Sequence, residues 1–238
     1  MVLFPQGIVL TTEEEHSTMR DLFSSKWSMI TLRLWGASLG MAFLYYGAIL
    51  AITMIFSSEQ EEEQQDNGTT FNFDYTAIIA SSSAEIVGLT LVILTVDTKG
   101  RIPSQTMCYA MGGTCVFLLC LFASLEMPRA LLLTCSFSTR LFLMGATCLT
   151  WVSTSEILAT EIRSTGHAAA NAVARIGGAA SPFIVSERTP LLAIGGIMLF
   201  VALVTARIVN KLPERTVKAW VLWRLEEQGT PPCIRIRA

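Results

Sequence analysis

Six long stretches of this chain carry almost no charge, and that restricts its architecture more than any other feature. They cover residues 34–56, 76–96, 106–125, 130–158, 165–185 and 190–209. Crossing a ~30 Å hydrocarbon core takes roughly 20 residues at about 1.5 Å each, and most of the six are close to that length. A segment inside lipid must satisfy its own backbone hydrogen bonds, so it is a helix or a strand of a closed barrel. The alternating ten-residue pattern of a barrel strand is missing, which leaves helices. The sequence therefore predicts an all-α membrane protein with six transmembrane helices over 34–209. A segment, 1–33, precedes them, and a tail, 210–238, follows.

Composition agrees. Of 238 residues, 52% are hydrophobic and 15% charged, against about 25% charged in soluble domains, and mean hydropathy is +0.51. A net charge of -2 and no basic stripe argue against a nucleic-acid partner. Two histidines and no Cys-x-x-Cys pair give no metal site. No nucleophile–base set or glycine-rich phosphate loop emerges, so no enzyme and no cofactor are expected. Five cysteines (Cys108, Cys115, Cys120, Cys135, Cys148) lie in or beside apolar runs, where they read as small hydrophobes. The apolar start, residues 1–10, lacks a basic lead and meets Glu13-Glu14-Glu15, so it is not read as a signal peptide.

The loops suggest a direction. Residues 57–75 hold six acidic side chains, no Lys or Arg, and the sequon Asn67-Gly68-Thr69, an acceptor for N-glycosylation. Arg20, Lys26 and Arg33 precede the first span. Lys99 and Arg101 follow the second, Arg163 the fourth, and Lys211, Arg215, Lys218 and Arg224 the sixth. Basic residues stay on the cytoplasmic side, which puts both termini in the cytoplasm and Asn67 outside. A plasma-membrane and a vesicle location fit equally.

Three ionisable residues lie deep within spans: Glu85, Arg140 and Arg175. Counted from their span ends they sit ~14, ~15 and ~15 Å deep, which is the middle of a ~30 Å core. Each costs about 2.5–3.5 kcal/mol at a helix centre unless it has a partner or a watery cavity. Two readings follow: an ion pair of Glu85 with Arg140 that orients two helices, or a site binding a solute and a coupling proton or cation. Two arginines against one glutamate would suit an anionic solute. Tyr45 and Tyr46 of the first span add two hydroxyls at mid-depth, either for such a site or for packing. Spans three and six carry no mid-span charge and are expected to face lipid, leaving the other four around a polar cavity. Gly36 and Gly40, and Gly177-Gly178 in the small-residue fifth span, predict close helix packing.

At the cytoplasmic ends, Asp97, Gly100 and Arg101 follow span two, while Glu156 and Arg163 flank the end of span four. Gly100 permits a tight turn, and the four charges would share one surface.

The order of Arg20-Asp21-Leu22-Phe23, Ala42-Phe43-x-Tyr45-Tyr46-Gly47, Asp74-Tyr75, Glu85, Asp97-x-x-Gly100-Arg101, Arg140, Glu156 with Glu161-x-Arg163-x-x-Gly166, and Arg175-Ile176-Gly177 with Pro182-Phe183-Ile184 resembles the C-terminal six-helix half of a major facilitator superfamily transporter. Within that superfamily the pattern is similar to the synaptic-vesicle-protein-related transporters, neighbours of the sugar and organic-ion porters, over residues 20–213. The resemblance implies a secondary carrier of a small, charged organic solute, driven by a proton or cation gradient. In such a carrier this half rocks against an N-terminal half, and Asp97, Gly100, Arg101, Glu156 and Arg163 form a cytoplasmic gate. Ile102-Pro103 after Arg101 and Ala159 before Thr160 depart from the family pattern. A half supplies one wall of a cavity, so a second set of six helices, in a longer product or as a second chain, is the implied partner beside the lipid bilayer. The rival class is a non-transporting membrane protein that keeps the fold as a binding or trafficking module.

Overall fold

A computed structural model describes residues 22–24, 27–64, 75–158, 162–186 and 189–212, and leaves out some side chains within those ranges, among them 58–64 and 97–99. Six helices account for nearly all of it: α1 Ser28–Gln64, α2 Tyr75–Lys99, α3 Arg101–Ser124, α4 Arg129–Ile157, α5 Arg163–Ile184 and α6 Leu191–Asn210. No strand occurs among the described residues. Each expected span maps onto one helix. Asn67, the segment 1–21 and residues 213–238 lie outside the described residues.

Two expectations change. The first helix does not stop near residue 56 but runs 37 residues to Gln64. Glu and Gln are good helix formers, so the acidic run beyond the apolar stretch continues the helix instead of opening a loop. The second change concerns apolarity. Four helices (α1, α3, α4, α6) are long and apolar enough to cross a membrane by length and composition, while in α2 the apolar stretch is Ser81–Val96. Helix α5 falls short because it is built from Ala, Gly, Ser, Asn and Arg, residues used for close packing more than for lipid contact.

Helix α1 is the hub. It packs on α5, α6 and α4, while α3 lies against α6 and α4, and α2 lies mainly against α4. The main core joins Leu34, Phe43, Leu44, Tyr109, Val116, Leu143, Leu149 and Met198; a second cluster at the other end joins Ile52, Ile55, Phe56, Leu119 and Leu132. Two glycines set close approaches to a neighbouring backbone. A Cβ at Gly88 of α2 would collide with the Leu141 carbonyl of α4, and one at Gly177 of α5 with the Leu39 carbonyl of α1. Since these obstacles are backbone, no rotamer change could relieve them, and the two helix pairs depend on the missing side chain. The predicted step Gly36/Gly40 faces Ile208 and Thr205 of α6.

The outer surface is apolar. Ile79, Ile86, Ile93 and Leu94 of α2, Phe183 of α5 and Phe200 of α6 are each more than 60% exposed. Soluble monomers rarely show such contiguous apolar area, but a lipid-facing surface requires it. Hydroxyls within the spans are absorbed locally: Thr53, Thr90, Thr114, Thr134 and Thr147 each donate to the carbonyl four residues back. These five hydroxyls are thereby paired within their own helices.

Candidate functional site

One polar cluster is charged and joins three helices. Arg140 of α4 donates from Nη1 to Glu85 Oε1 of α2 at 2.9 Å, and the Tyr45 hydroxyl of α1 donates to the same oxygen at 3.2 Å. Gly88 lets α2 approach α4 closely enough for this, one turn from Glu85. The arginine is buried, with 8% of its side chain exposed, whereas Glu85 keeps 26%. Both described bonds end on Oε1, so Oε2 has no described partner, and the buried Nε of Arg140 also finds none. An ion pair made only to orient helices would be expected to saturate both groups. This one leaves one acceptor and one donor unused beside a partly open carboxylate.

The other two expected site residues lie apart. Tyr46 points away from Tyr45, 47% exposed, with its ring 5.6 Å from that of Tyr45 in an edge contact and its edge over Gly178 of α5. Arg175 is exposed and makes no ion pair with a described residue. The reason is the packing of α5: Ala174 and Gly177 are buried, with Gly177 against α1, which turns Arg175 and Ile176 outward. Arg175 therefore does not join Glu85 and Arg140 within this bundle, and α5 adds no charge to their cluster.

At one end of the bundle Arg101 pairs with Glu156. Arg101 is the first residue of α3 and Glu156 the penultimate residue of α4. A cation at a helix N-terminus and an anion at a C-terminus both oppose the helix dipole. Pairing them offsets two unfavourable placements at once. Gly100 makes the junction between α2 and α3 with φ of 84°, a left-handed conformation that a side chain would strain. Arg163 begins α5 nearby in the chain, exposed and without an ion pair to a described residue. The side chain of Asp97 lies outside the described set. Arg33 of α1, at this same basic end, donates to the Lys211 carbonyl at 2.6 Å and so caps the end of α6.

A second buried polar cluster went unnoticed in the sequence, where spans three and six read as lipid-facing. Gln105 and Tyr109 of α3, each 1% exposed, both bond the Thr150 hydroxyl of α4, at 2.7 and 2.6 Å. Ser153 donates to Gln105 Oε1 at 3.1 Å. The i, i+4 spacing of Gln105 and Tyr109, matched by Thr150, Ser153 and Thr154 on α4, was the available signal. Helix α3 thus has a polar inner face toward α4 and an apolar contact with α6. Among the described residues no group of His, Cys, Asp and Glu is arranged to hold a metal ion, and five cysteines are free thiols.

No protein-family model matches the sequence. Individual relatives do. The synaptic vesicle 2-related protein of Bos taurus is 26% identical over 189 residues, covering 74% of this chain and 34% of that protein. A Caenorhabditis elegans protein named as a candidate transporter, svop-1, is 30% identical over 212 residues, 82% of this chain and 40% of its own length. The organic cation/carnitine transporter 7 of Arabidopsis thaliana is 31% identical over 184 residues, with 74% and 35% covered. In each comparison the aligned part is less than half of the relative. An all-helical bundle of six helices, an apolar outer surface and these relatives identify the chain as a homologue of the synaptic vesicle 2-related and transporter proteins of the major facilitator superfamily, corresponding to a six-helix half of that fold.

Proposed function

We propose that the chain is one half of a secondary transporter that moves a small charged organic solute by alternating access, completed by a further six-helix half in a longer product or a second chain. The observation that carries this reading is the incompletely satisfied pair of Glu85 and Arg140 at mid-depth. Ionisable groups there are expensive and mark solute or ion pathways.

The geometry suggests how coupling would work. With Oε1 held by Arg140 and Tyr45, Oε2 is the acceptor for a proton or a cation. Protonating Glu85 removes the charge that holds the guanidinium, and Arg140 then has both Nη and Nε donors for an anionic group in fork geometry. A cationic solute would use Oε2 directly, and the name of the Arabidopsis relative favours organic cations for this role. Tyr45 follows whichever state Glu85 adopts. Tyr46 and Arg175, exposed on this half, would meet the solute or the other half.

The pair Arg101–Glu156, with Gly100, Arg163 and Asp97, is read as the cytoplasmic gate. Its separation frees α3 and α4 ends, and the exposed pair is weak enough, at about 0–1 kcal/mol, to open readily. Arg33, Arg101, Arg163 and Lys211 at one end support a cytoplasmic placement of that end and of both termini, with Asn67 glycosylated on the other side.

The test is gradient-driven uptake in proteoliposomes containing this chain with a six-helix N-terminal half, using small organic cations and anions as labelled solutes. Uptake of at least one, reduced tenfold or more by Glu85→Gln and by Arg140→Ala, is the expected result. Binding without uptake for every solute would instead favour a binding or trafficking module, and the carrier reading would fall.

A further inference from the structure

The basic end of α6 gathers three cations beside an apolar stripe. Counted from Leu191 at about 1.5 Å per residue, Arg207 lies ~24 Å along the helix and Lys211 ~30 Å, where a ~30 Å hydrocarbon core gives way to headgroups. Both residues are exposed, and their i, i+4 spacing puts them on one face. That face continues into the core through Val204, Leu203 and Phe200, all exposed. The opposite face is the packed one: Thr205 meets Gly40 of α1 and Ala202 meets Gly113 of α3. Arg33 joins from α1, its guanidinium donating to the Lys211 carbonyl at 2.6 Å.

No described acidic side chain neutralises these cations. Glu85 is engaged by Arg140 and Glu156 by Arg101, and Glu126 stands in the turn between α3 and α4 at the opposite end. A purely structural role would be to offset the dipole of α6. A helix C-terminus, however, amounts to only about half a negative charge, and the Arg33 bond already meets one of its carbonyls. Three cations exceed that need severalfold. The sequence beyond does not reverse the sign, since Glu214 is followed by Arg215 and Lys218.

We infer that this end of α6 binds an anionic phospholipid, with its phosphate at Arg207 and Lys211 and its acyl chains along Val204, Leu203 and Phe200. A guanidinium offers a phosphate two parallel donors, and the Lys211 ammonium adds a point charge beside it. Arg207 starts about one turn inside the core, and a long basic side chain near a helix end reaches outward to the interface. The apolar stripe alone would accept any lipid. The cations select the headgroup, because they attract a net negative charge at the membrane surface and repel the ammonium of phosphatidylcholine. This site is separate from the Glu85 cluster and does not require the transport reading.

Native mass spectrometry of the full chain in a non-ionic detergent tests this, with phosphatidylglycerol and phosphatidylcholine of the same acyl chains as the two probes. Phosphatidylglycerol should bind in preference. Arg207→Gln and Lys211→Gln should each lower that preference about fivefold, the equivalent of about 1 kcal/mol per basic residue near a membrane surface. Arg207→Lys should keep more of it than Arg207→Gln. Arg129→Gln, which removes one exposed cation at the opposite end, should leave it unchanged. Inorganic phosphate shares the anionic group but brings no acyl chain, so it should not displace the lipid. The proposal is overturned if the unsubstituted chain shows no headgroup preference, or if Arg129→Gln lowers it as much as Arg207→Gln does. Displacement by inorganic phosphate also overturns it, because the site would then be one for free anions.

Discussion

The bundle contains two polar clusters of opposite character, both anchored on α4. The cluster of Gln105, Tyr109, Thr150 and Ser153 is neutral, and Thr150 alone engages Gln105, Tyr109 and the Ala146 carbonyl. The cluster of Glu85, Arg140 and Tyr45 is charged, partly open, and leaves Arg140 Nε without a partner. The neutral one welds α3 to α4, and each of its buried polar atoms has a partner. The charged one spends free energy on two ions in a low-dielectric setting and keeps donor and acceptor capacity in reserve. That contrast separates scaffold from site: the neutral cluster is fully buried, while in the charged one only Arg140 is.

The largest effect is expected at the charged cluster. Glu85→Gln leaves Arg140 buried without its counter-charge and should destabilise the bundle by about 3–5 kcal/mol, the scale for breaking a buried pair. The double variant Glu85→Leu with Arg140→Leu should recover most of that loss while remaining inactive. Denaturant unfolding in micelles measures both; a double variant no more stable than Glu85→Gln alone would mean that the two residues do not act as one unit.

A smaller effect is expected in the neutral cluster. Intramembrane hydrogen bonds average about 0.6 kcal/mol and reach about 1.7. Thr150→Val should therefore cost roughly 1–2 kcal/mol and Tyr109→Phe about 0.6 kcal/mol, with uptake per folded molecule unchanged. A large fall in uptake for folded Tyr109→Phe would erase the distinction between scaffold and site.

The smallest effect on stability belongs to the exposed pair at the basic end. Both side chains are about two-fifths exposed, so Arg101→Ala should cost at most ~1 kcal/mol. Unfolding midpoints of Arg101→Ala, Glu156→Ala and the double variant would show little coupling. Coupling well above that range would mean that the pair locks the fold instead of latching an end.

The sequence by itself determined six spans, with limits within about five residues apart from the start and end of α1, and the need of Glu85 for a basic partner or a polar cavity, with Arg140 and Arg175 both at its depth. These follow from one-dimensional constraints: the bilayer fixes how long an uncharged run must be, and the cost of a lone charge fixes that a carboxylate at mid-depth needs a partner or a polar cavity, without saying which of two arginines at equal depth it meets. What only the tertiary structure decided is which way each helix turns about its own axis. Backbone contact at Gly177 rotates Arg175 outward, and the facing of α3 to α4 brings Gln105 and Tyr109 to Thr150. Depth along a helix is a count of residues, but azimuth depends on which neighbour each face packs against, and a single chain of letters does not contain that choice.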